Sequence, residues 1–254
     1  MEGIRHRRSA EAAGDLNQKH IPYADIGSLV PDYINGVPSY SGNIKLYLQC
    51  NGVDGSHTFP DLSANKHVVT SVNNAQVDTA IKKFGTGSVL FPANTDYLSI
   101  PAHSSFDYGA NPFTIQLQIY FLTVANGYIY NQYVLATGAE TSLFYETNKL
   151  HFLNWDGTNW GIWIECAWTP SANTWYHIEI DRKGSDWFIF VAGISKALTK
   201  TQGAWANALY AVNAPLFFNH SVSNGIVGHY DEIRINDQAL HTANFTPPSK
   251  EVSP

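Results

Sequence analysis

Two carboxylates, Glu179 and Asp181, have the spacing in this chain that most directly suggests catalysis. Residues two apart in a β-strand project from the same face, so both carboxyl groups would point to one side. Glycoside hydrolysis uses such a pair, one group as the acid and the other as the nucleophile or base. The alternating apolar residues favour another interpretation, in which Tyr176, Ile178 and Ile180 point inward. We therefore expect the two acids to face solvent.

Other catalytic and metal-binding motifs are absent from the sequence. It contains no Gly-x-Ser-x-Gly nucleophile turn, no His-Glu-x-x-His zinc motif and no glycine-rich phosphate loop. The ten histidines show no metal-ligand spacing, so His177 and His229 are expected to be strand residues with ordinary hydrogen bonds. We expect a protein without enzymatic activity.

Aromatic residues are concentrated between His151 and Trp168, a segment that holds four of the seven tryptophans. The Asp156-Gly157 pair in its middle predicts a hairpin turn. On the second strand of that hairpin, alternate residues define an inner and an outer face. The residues expected on the inner, core-facing side are Trp160, Ile162, Ile164, Cys166 and Trp168. Trp163, on the opposite face beside Glu165, is expected to be available for contact.

A flat aromatic ring can pack against the apolar face of a sugar, so exposed rings are candidates for carbohydrate binding. Trp163 and Trp155 are two such candidates, and the segment YIYNQY supplies three more. The full candidate set is Trp155, Trp163, Tyr128, Tyr130 and Tyr133.

The rest of the chain, from Ile44 onward, is a series of short β-runs separated by turn residues. In the first run Ile44, Leu46 and Leu48 alternate with polar or aromatic residues, the period of a half-buried strand. Turn pairs such as Lys183-Gly184 separate later runs, and no long helical period occurs. About a dozen such strands predict an all-β protein, a two-sheet antiparallel jelly-roll sandwich.

Composition excludes several classes of function. The net charge of −6 argues against a nucleic-acid surface, which needs clustered basic residues. No run of about 18 apolar residues is present, so no membrane insertion is expected. The first twenty residues lack the apolar stretch of a signal peptide, which predicts folding in a cytoplasm. Cys50 and Cys166 are expected to be buried thiols, with a single disulfide bridge as the alternative.

Residues 1–41 differ from the rest because they are polar and show no sustained apolar period. We expect an extended N-terminal arm that anchors the protein to partner subunits, followed by a jelly-roll domain over 42–254. The candidate anchoring residues are Arg5, Arg7, Arg8, Tyr23 and Tyr33.

Several segments resemble the laminin G-like, concanavalin A-like jelly rolls found in bacteriophage virion proteins. The resemblance lies in FGTGSVLFPANTDYLSIP, FTIQLQIYF, NTWYHIEIDRKGSDWFIFVAG, GHYDEIRI and HTANFTPP, in the family's order, and LQCNGVDGSHTFPDLSANKHVVT is similar to its first strand and loop. It spans roughly residues 42–249. Pro92-Ala93 stand where the family usually has Asp-Gly.

The resemblance implies a structural accessory of a phage particle, in the head, tail or a fibre. It would be present as a homo-oligomer or in many copies among other virion proteins, displaying a lectin-like domain that assists adsorption to a host glycan. The alternative is a carbohydrate-binding module acting through exposed aromatic residues. Related glucanases carry Glu-x-Asp-x-x-Glu, but Gly184 stands at the third acidic position here, which argues against a glycanase.

Relatives of this kind often bind one calcium ion, which requires six to eight oxygen ligands. The resemblance therefore makes calcium a candidate cofactor, with Asp54, Asp61 and Asp231 as candidate ligands. The other interpretation is that these aspartates cap turns and loops through side-chain-to-backbone hydrogen bonds.

Overall fold

The computed structural model describes residues 32–34, 37–39, 43–220 and 224–251. Strands β1 (Asp32–Ile34) and β2 (Val37–Ser39) pair as an antiparallel hairpin, which includes the backbone of Tyr33. The other candidate anchoring residues, Arg5, Arg7, Arg8 and Tyr23, lie outside the described residues.

The remaining strands form two antiparallel sheets of eight strands each. Sheet I contains β3 (Ile44–Leu48), β5 (Gln76–Asp78), β6 (Ser88–Phe91), β8 (Phe113–Phe121), β13 (Trp175–Lys183), β14 (Asp186–Val191), β15 (Ile194–Ser195) and β18 (Gly228–Asn236). Sheet II contains β4 (Thr70–Val72), β7 (Tyr97–Ile100), β9 (Gly127–Val134), β10 (Ala139–Glu146), β11 (Lys149–Trp155), β12 (Trp160–Ala167), β16 (Thr199–Gly203) and β17 (Leu216–Phe218).

The order of the strands in the sheets confirms the jelly-roll sandwich. Sheet I runs β15-β14-β13-β8-β18-β6-β5, with β3 also paired to β18, and sheet II runs β16-β12-β11-β10-β9-β17-β7-β4. Chain neighbours such as β8 and β9 therefore lie in different sheets. In the described part of the chain, the one helical element is a short 3₁₀ turn at Ser104–Phe106, and no helix has the length and hydropathy to cross a membrane.

The core lies between the two sheets, as the alternating pattern predicts. Leu46 and Leu48 of β3 are fully buried, and so are Ile162 and Ile164 of β12. Trp168 is also buried, in edge-to-face contact with core rings, as expected. Burial of such apolar side chains contributes about 1.5–3 kcal/mol each, so the sandwich needs no crosslink. Both cysteines are buried free thiols.

His229 on β18 is a buried histidine whose surroundings favour the neutral ring. Its Nδ1 lies 3.1 Å from the Ser88 hydroxyl, and its Nε2 has no hydrogen-bond partner among the described residues. Burial, partly offset by Asp78, lowers its pKa to about 4. The unfolded chain therefore takes up a proton near pH 6.5, whereas the folded chain does so near pH 4.

We accordingly expect His229 to reduce stability as the pH falls from 6.5 to 4, by about 2–3 kcal/mol. His229→Gln removes this titration, so its free energy of unfolding should fall less over the same interval. Urea denaturation of both proteins at pH 7 and pH 4.5 measures the difference, in which contributions from other titrating groups cancel. Equal losses in the two proteins would contradict the assignment.

Candidate functional site

A group of aromatic side chains lies on the outer face of sheet II, on the side away from the core. Register places Tyr133, Glu140 and Trp155 in one cross-strand row, with Trp160 opposite Trp155. The next row consists of Asn131, Ser142, Leu153 and Trp163, and the third of Tyr128, Phe144, His151 and Glu165. Because every second residue of a strand faces the same side, these rows share the outer face of the sheet, on which Asn131, Ser142 and Leu153 are buried.

Three tryptophans at one end of this face form what we call the tryptophan platform: Trp155, Trp160 and Trp163. The ring centroids of Trp155 and Trp160 are 4.5 Å apart, and those of Trp160 and Trp163 are 5.2 Å apart. All three rings are half-buried, so each is fixed by its neighbours and still reaches solvent. The contact role expected for Trp155 and Trp163 is compatible with this position.

The placement of Trp160 differs from the sequence-based expectation, which put it between the sheets. The pairing shifts between Asn154 and Trp155, so that Asn154 pairs with Ile162 and Trp155 with Trp160. Gly161 is the extra residue of this β-bulge, and a Cβ there would lie 2.3 Å from the Asn154 side-chain oxygen. A bulge reverses the alternation of faces, which brings Trp160 to the same side as Trp163.

The three tyrosines of YIYNQY are separated by a second bulge. Leu143 pairs with Tyr130 and Phe144 with Tyr128, leaving Ile129 as the extra residue. Tyr128 therefore lies half-buried on the outer face, with its ring 5.3 Å from that of Phe144. Tyr133 is also half-buried on this face.

The prediction that Tyr130 stacks on a carbohydrate is wrong. Tyr130 is fully buried in the core, where its hydroxyl lies 3.0 Å from that of Tyr108. Its ring packs edge-on against Phe218 and offers no surface to a ligand.

Hydrogen-bonding groups lie directly beside the platform. The Asn131 amide donates to the Ser142 hydroxyl at 2.8 Å, and that hydroxyl donates to the Glu140 carboxylate at 2.9 Å. Burial raises the pKa of Glu140, and the bond from Ser142 partly opposes this. Asn131 and Ser142 are fully buried, so the half-buried Glu140 is the member of this group that reaches solvent.

A second polar group borders the platform at Trp163. The Trp163 indole N–H donates to His151 Nδ1 at 3.3 Å, and the His151 ring stacks on Phe144 with centroids 4.6 Å apart. Burial lowers the pKa of His151, which favours the neutral acceptor form. Glu165, on the same side, forms a salt bridge with Lys149, in which Nζ lies 2.5 Å from Glu165 Oε1. The arrangement fixes the angle of the Trp163 ring on the sheet.

The expectation that Glu179 and Asp181 face solvent is also wrong, because both are fully buried. They do lie on the outer face of sheet I, with Ile178 and Ile180 in the core as predicted. The C-terminal tail (residues 238–251) crosses that face and covers them. Its Leu240 amide donates to Asp181 at 2.7 Å.

The three candidate calcium ligands are occupied separately by backbone amides. Asp61 accepts from the amides of Tyr47, Ser63 and His67, all at 2.8–3.0 Å. Asp54 accepts from the Thr79 amide, and Asp231 accepts from three amides that include Phe84. The structure does not gather the three carboxylates into one ligand set. It follows the alternative interpretation, in which these aspartates cap loops.

Comparison with solved structures identifies the same architecture in binding domains of botulinum neurotoxins. The chain is similar to the receptor binding domain of botulinum neurotoxin D (TM-score 0.58, 13% identity, 78% of this chain and 50% of that chain). It is equally similar to the serotype C1 binding domain (0.57, 16%, 78% and 49%). The fold is a jelly-roll β-sandwich.

A third similar structure is the serotype D ligand binding domain in complex with N-acetylneuraminic acid (TM-score 0.56, 13% identity, 78% of this chain and 48% of that chain). The chain thus spans about half the length of these structures. Identity at this level establishes a shared fold only. No family model and no curated protein matches the chain.

Proposed function

We propose that the protein is a glycan-binding module whose binding surface is the outer face of sheet II, centred on the tryptophan platform. The observation that carries this proposal is the contiguous, half-buried cluster of Trp155, Trp160 and Trp163, whose neighbouring rings are tilted by 44° and 32°. Sugar rings present apolar C–H faces, which pack on aromatic rings and leave the ring edges for hydrogen bonding.

The polar neighbours of the platform suit the hydroxyl groups of such a ligand. The half-buried Glu140 provides an acceptor, and the Lys149–Glu165 pair provides charged groups at the border. Binding sites commonly combine an apolar floor with a few fixed polar groups that orient the ligand. An oligosaccharide that covers more than one tryptophan ring fits this layout better than a single sugar.

We propose that binding is not followed by catalysis. The one carboxylate pair with a spacing suited to glycoside hydrolysis, Glu179 and Asp181, lies on the other sheet beneath the C-terminal tail. A glycan seated on the platform cannot reach it. The similar neurotoxin structures are binding domains by name, one of them in complex with N-acetylneuraminic acid, which supports a binding role for this fold.

A screen of immobilised glycans with the full chain tests the proposal. The panel should contain sialylated oligosaccharides, β-glucans and bacterial surface polysaccharides. Packing on aromatic rings requires an apolar sugar face, which many different sugars present, so several glycan classes are tested. We expect saturable binding to at least one class, with no release of reducing ends from the bound glycan. Absence of binding across the panel at millimolar glycan would count against the proposal.

We further propose that the domain is displayed on a bacteriophage particle through residues 1–41, which the resemblance to phage jelly rolls supports. A variant without residues 1–41 should keep the stability of the sandwich and fail to join the particle. Full occupancy of particles by the truncated chain, or unfolding of its sandwich, would argue against this assignment.

A further inference from the structure

A cluster of buried ligand-type side chains lies beneath the C-terminal tail, on the opposite sheet from the tryptophan platform. It consists of Glu179, Asp181 and His241, which each offer one atom within 4.8 Å of the others. Both carboxylates are fully buried, and the His241 side chain is 19% exposed. Two of the residues come from β13 and the third from the tail.

The two carboxylates of this cluster have different partners: Glu179 has two histidines, whereas Asp181 has a hydroxyl and a backbone amide. Glu179 and Asp181 lie side by side away from solvent, where two ionised carboxylates would repel each other. Asp181 Oδ1 accepts bonds from the Thr114 hydroxyl and the Leu240 amide. Asp181 Oδ2 is buried and has no hydrogen-bond partner among the described residues. A buried oxygen that lacks a donor indicates a missing partner.

The neighbours hold each side chain in a fixed orientation. His177, itself bonded to Gln118 at 3.1 Å, approaches Glu179 Oε2 with its Nε2 at 3.2 Å. The His241 ring stacks on Phe245 with centroids 3.5 Å apart and directs Nδ1 to Glu179 Oε1 at 2.6 Å. Partners that orient the ligands in this way are typical of metal sites in proteins.

We propose that Glu179, Asp181 and His241 bind a divalent transition-metal ion, with Zn²⁺ as the best match, and that the ion fastens the C-terminal tail to sheet I. One imidazole and two carboxylates are a mixed nitrogen and oxygen set of the kind that Zn²⁺ accepts. Tetrahedral coordination at about 2.0 Å places ligand atoms about 3.3 Å apart, within the span of the cluster. The ion's charge offsets that of the two carboxylates.

Calorimetric titration of the metal-stripped full chain with ZnCl₂ tests the site. We expect one equivalent bound with micromolar or tighter affinity, and a loss of at least about 10–100-fold in Glu179→Gln and in His241→Ala. His103→Ala, which removes an exposed histidine near the 3₁₀ turn, should bind as the parent does. His241→Ala changes a residue of the C-terminal tail and none of sheet I. It therefore still tests the site if Glu179→Gln folds poorly.

Two further readouts separate a built site from adventitious binding. Co²⁺ should give the intense visible bands of a four-coordinate ion, and Zn²⁺ should slow hydrogen exchange of the amides from Leu240 to Phe245. The proposal is overturned if the wild-type chain binds less than one equivalent, or if the variants bind Zn²⁺ as tightly as the wild type. If Zn²⁺ does not change the hydrogen-exchange rates of these tail amides, the ion does not fasten the tail to sheet I.

Discussion

Replacing Trp163 with alanine should weaken glycan binding about 30-fold, a loss of about 2 kcal/mol. Trp163 joins the Trp160 ring on one side and donates to His151 on the other, so it links the platform to its polar border. Its removal takes away stacking area and releases the His151 ring at the same time. Isothermal titration with the glycan identified by screening measures the change, and circular dichroism verifies the fold.

A matched control is available on the other sheet. Trp175 is also a half-buried strand tryptophan, but its ring contacts Tyr120 and His229 on sheet I. Trp175→Ala should therefore leave glycan affinity unchanged. Equal affinities in the wild type and in Trp163→Ala, or a selective loss in Trp175→Ala, would place the binding surface elsewhere.

Replacing Arg182 with methionine should lower the free energy of unfolding by about 3–5 kcal/mol. Arg182, at the end of β13, is almost fully buried, and its guanidinium donates to the carbonyls of Gly184, Gly109 and Asn207. It also lies over the Trp187 ring at 5.2 Å. Hydrogen bonds from a charged donor contribute about 1.5–3 kcal/mol each, and methionine retains the aliphatic stem but none of the donors.

The adjacent residue serves as the control, since Lys183 is exposed. Lys183→Met should change stability by less than about 0.5 kcal/mol, the usual effect of a surface substitution. Arg182→Lys should recover only part of the loss, because one ammonium cannot match the fork of a guanidinium. Guanidinium chloride denaturation compares the three variants. If Arg182→Met lowers the free energy of unfolding by less than about 1 kcal/mol, the segments around Gly109, Gly184 and Asn207 do not depend on this residue.

Much of the fold follows from local alternation in the sequence. Strands such as β3, with Leu46 and Leu48 inward, and β12, with Ile162 and Ile164 inward, lie as their period-two pattern predicts. Turn residues such as Gly184, whose φ is +64°, separate the strands where expected. Alternation and turn chemistry are properties of a few neighbouring residues, so they can be recognised without knowledge of the pairing.

The errors arise where a side chain's position depends on distant residues. The bulges at Gly161 and Ile129 exist only in the context of the partner strand. Each reverses the order in which side chains alternate between the two faces of the sheet. As a result, Trp160 lies on the outer face and Tyr130 in the core. The burial of Glu179 and Asp181 depends on the C-terminal tail about 60 residues later. No local pattern in β13 contains that information.

The central claim, that the tryptophan platform binds a glycan, is tested most directly by the indole N–H resonances of the seven tryptophans. In a titration with the bound glycan, followed by ¹H–¹⁵N NMR, the signals of Trp155, Trp160 and Trp163 should shift together and saturate at one affinity. The signals of Trp168 and Trp187, which lie in the core, should stay in place. Shifts confined to other tryptophans, with the three platform signals unmoved at saturation, would contradict the account.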